Sequence, residues 1–245
     1  MHYGLYGAIT REDPAILNEV PEVIEAGVPT FKMFTAYEIG LSNGFMNRLA
    51  EDDAVGVFHT EDTSVCEDLV AQFKTEDKSD ATWFPKSRPD YSEAMAAEGA
   101  VRMAVEAGMQ YYGEHTACRK SAGVPDDLQD EHGSELVRAG TCLHYTTLGD
   151  SICEEVGNRP VIQLSIRGED DIGAIFEHLD DGVLSVVSTD HCVYRRKLKE
   201  GVPWLGYEPA GNALQTSLSV SHNEAVNRRE YDPSLVVEVM CSNPA

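Results

Sequence analysis

Long apolar runs are absent from this sequence, and so are the usual signals for export. No stretch of the 245 residues approaches the roughly 20 consecutive apolar residues that a membrane-spanning helix requires. The first residues contain neither the basic region nor the apolar region of a signal peptide. We therefore expect a cytoplasmic protein with no membrane partner.

Basic residues are scarce. The chain has 19 Lys and Arg residues against 42 Asp and Glu residues, which gives a formal net charge of -23. Such a surface repels phosphate groups, so we do not expect nucleic acid as a partner. Only seven of the basic residues are Lys. This composition is typical of salt-adapted proteins, but an acidic enzyme from a low-salt environment would also have it, and both interpretations stay open.

Several motifs with a defined chemistry are also missing. The six cysteines include no C-x-x-C pair, which argues against a disulfide framework and a zinc ribbon and favours reduced, mostly buried thiols. There is no G-x-G-x-x-G and no G-x-x-x-x-G-K-[S/T] segment, so a nucleotide-binding fold has no support. The sequence contains no internal repeat and no low-complexity linker.

What the sequence does contain is an alternation of apolar, β-rich segments with helical ones. The pattern predicts strands at 27–34, 54–58, 109–112, 139–145, 160–165 and 182–188. A long Ala-rich helix is predicted from Asp90 to Ala107, with Gly108 ending it. Buried strands separated by helices indicate a parallel sheet in an α/β protein. Without a nucleotide motif we favour a TIM-type (β/α)8 barrel, with residues 1–245 forming one partial catalytic domain.

Four residues with side chains suited to metal binding or catalysis lie at or near the predicted strand ends: Lys32, His59, His115 and Asp190. In a barrel these ends meet at one mouth. A single strand-end histidine is more often structural, but two histidines and an aspartate together match the ligand chemistry of Zn, Mn or Fe. Lys32 does not fit this set as a cation, because an ammonium group repels a metal ion unless it loses its proton or is modified.

Six short segments, taken in chain order, resemble the motifs of one enzyme family. They are Phe-Lys-Met-Phe-Thr-Ala-Tyr at 31–37, Phe-His-Thr-Glu at 58–61, Ser-Arg-Pro at 87–89, Glu-His-Thr at 114–116, Thr-Cys-Leu-His-Tyr at 141–145 and Ser-Thr-Asp-His-Cys at 188–192. The last five residues, Cys-Ser-Asn-Pro-Ala, resemble a further segment. By these motifs the sequence resembles the dihydropyrimidinase and hydantoinase branch of the amidohydrolases over nearly its whole length.

The resemblance implies a TIM-barrel hydrolase with two divalent metal ions, zinc being the first choice. Lys32 matches a lysine that is carboxylated by CO2 and bridges the two ions. His59 and His115 match ligands of one ion, and Asp190 matches a ligand of the other ion that also acts as general base. Two such ions would lower the pKa of bound water and polarise an amide carbonyl.

The resemblance also implies three substrate-binding positions. Tyr37 matches a phenol that donates to the oxyanion, and Ser165 matches a serine whose backbone holds the ring amide. Asn212 lies near the place of an asparagine in a substrate loop, offset by one residue. The two prolines that follow the serine in the family are replaced by Ile166 and Arg167.

One motif of the family is missing altogether. The first metal ligands of the family are an H-x-H pair, and none of the eight histidines forms such a pair. We therefore expect the chain to correspond to the middle and rear of a longer enzyme, without its first strands.

The resulting prediction is the metal-dependent hydrolysis of a small cyclic amide, a dihydropyrimidine or a hydantoin, as in pyrimidine catabolism, by a homo-oligomer. Two alternatives stay open. One is allantoinase or dihydroorotase chemistry, against which the Lys-x4-Tyr spacing of Lys32 and Tyr37 counts. The other is a catalytically silent homologue with a structural or regulatory role, which the missing H-x-H favours.

Overall fold

The computed structural model describes residues 4–11, 13–36, 42–201, 203–206 and 209–245. Its centre is one sheet of six parallel strands. The strands are β1 (Gly7–Ala8), β2 (Thr30–Phe34), β3 (Val55–His59), β4 (Gln110–Gly113), β5 (Val137–Cys142) and β6 (Leu184–Ser188).

Helices connect and cover these strands. The α-helices are α1 (Pro14–Glu25), α2 (Asn43–Glu51), α3 (Thr63–Thr75), α4 (Trp83–Ser87), α5 (Asp90–Ala107), α6 (Arg119–His132), α7 (Ile152–Val156), α8 (Glu169–Asp180), α9 (Ser217–His222) and α10 (Pro233–Val237). Short 3₁₀ helices span Leu143–Thr146, Arg196–Leu198 and Trp204–Gly206, and π-helical turns span Asn223–Arg228 and Glu238–Ser242. No helix within the described residues is long and apolar enough to span a bilayer.

The strands are arranged in the sheet in the same order as in the chain. In a doubly wound sheet the order reverses at a switch point, whereas a barrel wall is built from neighbours in sequence. The described residues show no pairing between β1 and β6, so these six strands form an open wall. The predicted barrel-type α/β architecture is therefore present as consecutive strands of such a wall.

The alternation of side chains along β2 decides which residues face the helices and which face the opposite side of the sheet. Phe31 and Met33 are buried in an apolar cluster together with residues of α2 and α5. Because successive side chains point to opposite faces, Lys32 and Phe34 lie on the other face. The register places Lys32 beside Val57 of β3 and Phe34 beside His59. The sequence pattern predicts Lys32 near the strand end, and the structure places it two residues earlier, in the middle of β2.

The long helix α5 is confirmed at both predicted ends. It runs from Asp90 to Ala107, and Gly108 follows with a φ of 70° in the left-handed region. Glycine adopts this conformation without the steric cost that a Cβ atom imposes. The long helix and its stop are local features, which explains why the sequence predicts them well.

One predicted strand is wrong, and another is too long. Residues 160–165 form no strand, and β5 pairs directly with β6. The carbonyl groups of this segment bind side chains instead: Leu164 accepts from Tyr145 Oη at 2.7 Å, and Val161 accepts from Lys199 Nζ at 3.0 Å. The strand predicted at 139–145 ends at Cys142, where a 3₁₀ helix begins.

The six cysteines are all free thiols. Four are buried, and Cys192 and Cys241 are exposed. This agrees with the prediction of reduced, mostly buried thiols.

Candidate active site

A cavity of about 420 Å³ lies beyond the carboxyl ends of the strands. It brings together the four residues that the sequence places at or near strand ends, although they are up to 158 positions apart in the chain. Its lining consists of Lys32, Phe34, His59, Glu114, His115, Gln163, Asp190, Tyr194 and Pro209.

The two histidines face each other. His59 is the last residue of β3, and His115 follows β4 by two positions. Nδ1 of His59 lies 3.1 Å from Nε2 of His115, and the two residues are only 6% and 4% exposed. Burial, together with the neighbouring His115, Lys32 and Arg88, lowers the pKa of His59 well below its usual value. Burial, followed by the charge of Lys32, lowers the pKa of His115 to about 4. Both rings are therefore neutral at pH 7, the form in which imidazole binds metals.

Lys32 and Glu114 form an ion pair at the same point. Nζ of Lys32 contacts Oε1 of Glu114, and the same oxygen lies 3.0 Å from Nε2 of His115. Burial lowers the pKa of Lys32 to about 7, although the negative charge of Asp190 partly opposes the shift. Burial thus favours the uncharged amine, whereas the ion pair with Glu114 favours the charged one.

Two of these residues have a strained backbone. His115 has a φ of 44° and Asp190 a φ of 39°, in the left-handed region that residues with a Cβ atom rarely adopt. Such positions cost on the order of 1 kcal/mol or more and occur often at functional sites. Asp53, Asp77 and Glu230 share this conformation at other places in the chain. Of these five residues, His115 and Asp190 are the two that line the cavity.

The donor atoms of the two histidines have the spacing of ligands to one metal ion. Two nitrogens bound to one tetrahedral zinc ion would lie about 3.3 Å apart, close to the 3.1 Å between the rings of His59 and His115. Nδ1 of His115 is buried without a hydrogen-bond partner. However, the described residues contain no group of three or more His, Cys, Asp or Glu side chains arranged to hold a metal. The two imidazoles fit as a pair, and Lys32, Glu114 and Asp190 line the same cavity.

Behind the cavity wall lies a network of charged and polar side chains. Oε2 of Glu61 accepts a hydrogen bond from Nη1 of Arg88 and one from Nε2 of Gln163, the latter at 2.5 Å. Glu61 is 1% exposed. Its backbone N–H donates to the hydroxyl of Thr35 at 2.7 Å, which ties the ends of β2 and β3 together. This network fixes the wall on the side of Gln163.

The three predicted substrate-binding residues are placed differently. Tyr37 lies outside the described residues. Ser165 is fully buried and is not among the residues that line the cavity. Asn212 is exposed and lines a neighbouring cavity of about 280 Å³, together with His144.

His191, which directly follows Asp190, has a role in positioning the loop that contains Asn212. Its Nδ1 accepts hydrogen bonds from the backbone N–H groups of Ala213 at 3.1 Å and Leu214 at 3.2 Å. An isolated bridge joins His191 to Gly211.

Sequence reasoning missed Glu114, Gln163 and Tyr194 as residues of the cavity. Glu114 could have been found, because it lies two residues beyond Tyr112 and so shares that residue's side of the strand. Gln163 is the only polar residue among positions 161–164, which is a weaker signal. Tyr194 lies in an irregular segment, and no periodicity indicates its direction.

No family model matches the chain. Among curated proteins, the chain is similar to the allantoinases of Salmonella paratyphi B and Salmonella enteritidis PT4. Each is 26% identical over 245 aligned residues, covering 94% of this chain and 53% of the relative.

Solved structures show the same fold. The dihydropyrimidinase from Brevibacillus agri superposes with a TM-score of 0.88 at 20% identity, over 97% of this chain and 54% of that structure. The D-hydantoinase from Thermus sp. superposes with a TM-score of 0.88 at 18% identity, over 96% of this chain and 53% of that structure. The L-hydantoinase from Arthrobacter aurescens superposes with a TM-score of 0.88 at 24% identity, over 98% of this chain and 55% of that structure.

These superpositions show that the chain has the fold of the dihydropyrimidinases and hydantoinases, a TIM-barrel fold of the α/β class. Its homologues are cyclic amidohydrolases, hydrolases that act on carbon–nitrogen bonds in cyclic amides. The predicted resemblance to dihydropyrimidinases and hydantoinases is confirmed. The chain spans about half the length of the relatives it matches.

Proposed function

We propose that this chain takes part in the hydrolysis of a cyclic amide, with the cavity that joins Lys32, His59, His115 and Asp190 as the reaction site. The observation that carries the proposal is this convergence at the carboxyl ends of parallel strands, where barrel enzymes bind their substrates. The fold shared with hydantoinases and the sequence likeness to allantoinases support the same class of reaction.

In this proposal His59 and His115 hold one divalent metal ion, zinc being the first choice. Lys32, in carboxylated form, and Asp190 would complete the ligands of a site for two such ions. A bound divalent ion supplies Lewis acidity toward the ring carbonyl and toward water. The neutral state of the two imidazoles supports their role as ligands. Metal dependence itself comes from the resemblance to the amidohydrolases.

Side chains of the protein would transfer the proton during the reaction. Asp190, as general base, takes a proton from the attacking water and delivers it to the ring nitrogen when the C–N bond breaks. The position of Asp190 on the cavity wall supports this role. Tyr37 donates a hydrogen bond to the developing oxyanion, and Ser165 and Asn212 hold the ring, all three by resemblance. The substrate within this class, the place in pyrimidine catabolism, the cytoplasmic location and the homo-oligomer remain predictions.

Two further candidates have specific support. Allantoin as substrate is favoured by the allantoinases among the sequence relatives. A catalytically silent homologue is favoured by the Lys32–Glu114 ion pair, and by the lack of a three-ligand cluster among the described residues. The same experiment separates these candidates.

The test combines metal content with turnover. Purified protein is loaded with Zn²⁺ in bicarbonate buffer, its bound metal is counted by plasma mass spectrometry, and hydrolysis of dihydrouracil, hydantoin and allantoin is followed. We expect bound zinc in the wild type and its loss in His115→Ala and Lys32→Ala. His132→Ala is the matched control, because His132 ends α6 and does not line the cavity.

Each outcome decides between the candidates. Metal binding that depends on His115 and Lys32, with turnover of any of the three rings, supports the proposal, and the preferred ring identifies the substrate. Metal content unchanged by both variants would remove these residues from the site. A wild type that binds no zinc and opens none of the rings would favour the silent homologue.

A further inference from the structure

Gln163 is a polar residue of the cavity wall to which the resemblance assigns no role. It lies in the irregular segment 160–165, two positions before the predicted substrate residue Ser165. Gln163 is half-buried and lines the cavity with Lys32 and the two histidines, whereas Ser165 is fully buried. The side chain that reaches the reaction site from this segment is therefore the glutamine.

The orientation of its amide group is set by chemistry. Nε2 donates to Oε2 of Glu61 at 2.5 Å. An ionised carboxylate only accepts hydrogen bonds, so the nitrogen of the amide, and not its oxygen, faces Glu61. Glu61 is held in turn by Arg88. Within the described residues, no other group is hydrogen-bonded to Oε1 of Gln163 or to the second hydrogen on Nε2, so both can meet a ligand in the cavity.

The support behind Gln163 is rigid. Arg88 donates to Glu61, and the backbone carbonyl of Arg88 accepts from Nη1 of Arg167. Arg167 is buried and also pairs with Glu93 of α5. A side chain anchored through charge-assisted hydrogen bonds keeps its direction without a ligand present, which lowers the entropy cost of binding.

We infer that Gln163 is a specificity-determining residue, whose side-chain amide binds the adjacent N–H and C=O groups of a ring amide. This inference rests on the proposed function. A ring forces its amide into the cis form, so N–H and C=O lie side by side as a donor and an acceptor. The carboxamide of Gln163 presents the complementary acceptor and donor. An open-chain trans amide presents these two groups on opposite sides and does not match.

The test uses rings with and without the N–H donor. Hydrolysis and binding are measured for hydantoin, 1-methylhydantoin and 3-methylhydantoin, with calorimetric titration as the binding measurement. Gln163→Met keeps the length of the side chain and removes the amide. Gln72→Met is the matched control, because Gln72 is exposed on α3, donates to Glu76 and does not line the cavity.

We expect the wild type and Gln72→Met to prefer hydantoin over at least one methylated form by about 10-fold or more, the size of one lost hydrogen bond in a desolvated site. Gln163→Met should bind hydantoin more weakly and lose most of this preference, because it has no group that distinguishes N–H from N–CH3. A purely structural role of Gln163 would lower the affinity for all rings alike.

The two proposals fail in different ways. If the wild type neither binds nor opens any ring, the proposed function fails, and this inference fails with it. If the wild type acts on the rings but Gln163→Met keeps the same preference, only the inference about Gln163 is overturned. Circular dichroism and the melting temperature of Gln163→Met verify its fold, and Gln163→Glu provides a second variant that places a carboxylate against Glu61.

Discussion

Glu93 and Arg167 form an ion pair that is almost completely closed to solvent. Nη2 of Arg167 lies 2.9 Å from Oε2 of Glu93, and the two side chains are 6% and 0% exposed. Oε1 of Glu93 accepts the backbone N–H of Ala117 at 2.7 Å and the hydroxyl of Ser121. The pair thus joins α5 to the segment that follows β4 and to the segment that contains Gln163.

Glu93→Gln should destabilise the protein strongly. The variant leaves the guanidinium group of Arg167 buried without its counter-charge, which costs about 3–5 kcal/mol in the free energy of unfolding. Urea unfolding followed by circular dichroism measures the difference. The control is Glu98→Gln on the same helix, since Glu98 pairs with Arg102 at the surface and such pairs contribute about 1 kcal/mol or less. Equal losses in the two variants would contradict the role given to Glu93.

Asp62→Ala should destabilise the protein in a way that depends on pH. Oδ1 of Asp62 accepts from Ser64 Oγ at 2.6 Å and from the backbone N–H of Val65 at 3.0 Å, which caps α3. These hydrogen bonds, that of Ser64 first, lower the pKa of Asp62 in the folded state. Because the folded pKa is depressed, the stabilisation is present above the unfolded pKa of about 3.9 and disappears as the pH falls through the folded pKa.

We therefore expect a loss of about 1 kcal/mol for Asp62→Ala at pH 7 and a smaller loss below about pH 4. Thermal unfolding at a series of pH values measures both. Asp68→Ala, an exposed site inside the same helix, should change the stability by about 0.5 kcal/mol or less. A pH-independent penalty in Asp62→Ala would refute the contribution of the charged cap.

Salt should raise the melting temperature if the acidic composition is a salt adaptation. At a net charge of -23 on 245 residues, the carboxylates repel one another. About 1 M KCl shortens the screening length of this repulsion to about 3 Å. Differential scanning calorimetry from low salt to molar KCl measures the effect. Sucrose at matched osmolality controls for effects other than charge screening. A flat or falling melting temperature in KCl would contradict the interpretation of the acidic composition as a salt adaptation.

Tyr37→Phe should keep the bound metal and lower turnover by about 10²–10³-fold, the usual effect of removing one oxyanion donor. The expectation comes from the resemblance, since Tyr37 lies outside the described residues. Tyr91→Phe is the control, because Tyr91 is an exposed tyrosine on α5. Steady-state kinetics on the preferred ring and a metal count give the two readouts. Turnover within a few-fold of the wild type would place Tyr37 outside the reaction site.

Much of the fold was predictable because the relevant signals are local or periodic. The bounds of α5 follow from helical periodicity and from Gly108, which tolerates the left-handed backbone at its end. Most predicted strands are present, shifted by one to three residues. The segment 160–165 was not predictable in this way. Its apolar character reflects burial, while its carbonyl groups bind Tyr145 and Lys199, which are remote in sequence from them.

The candidate site was likewise predictable only in part. The sequence by itself determined the chemical types near the strand ends: Lys32, His59, His115 and Asp190 stand out because apolar strands precede or surround them. Only the tertiary structure decided that Glu114 contacts Lys32 and that Gln163 reaches the cavity from a segment about 100 residues beyond its partner Glu61. The periodicity of a sequence indicates on which face of a helix or strand a residue lies. The distance between two elements depends on how the sheet curves and how its helices pack, and this involves the whole chain.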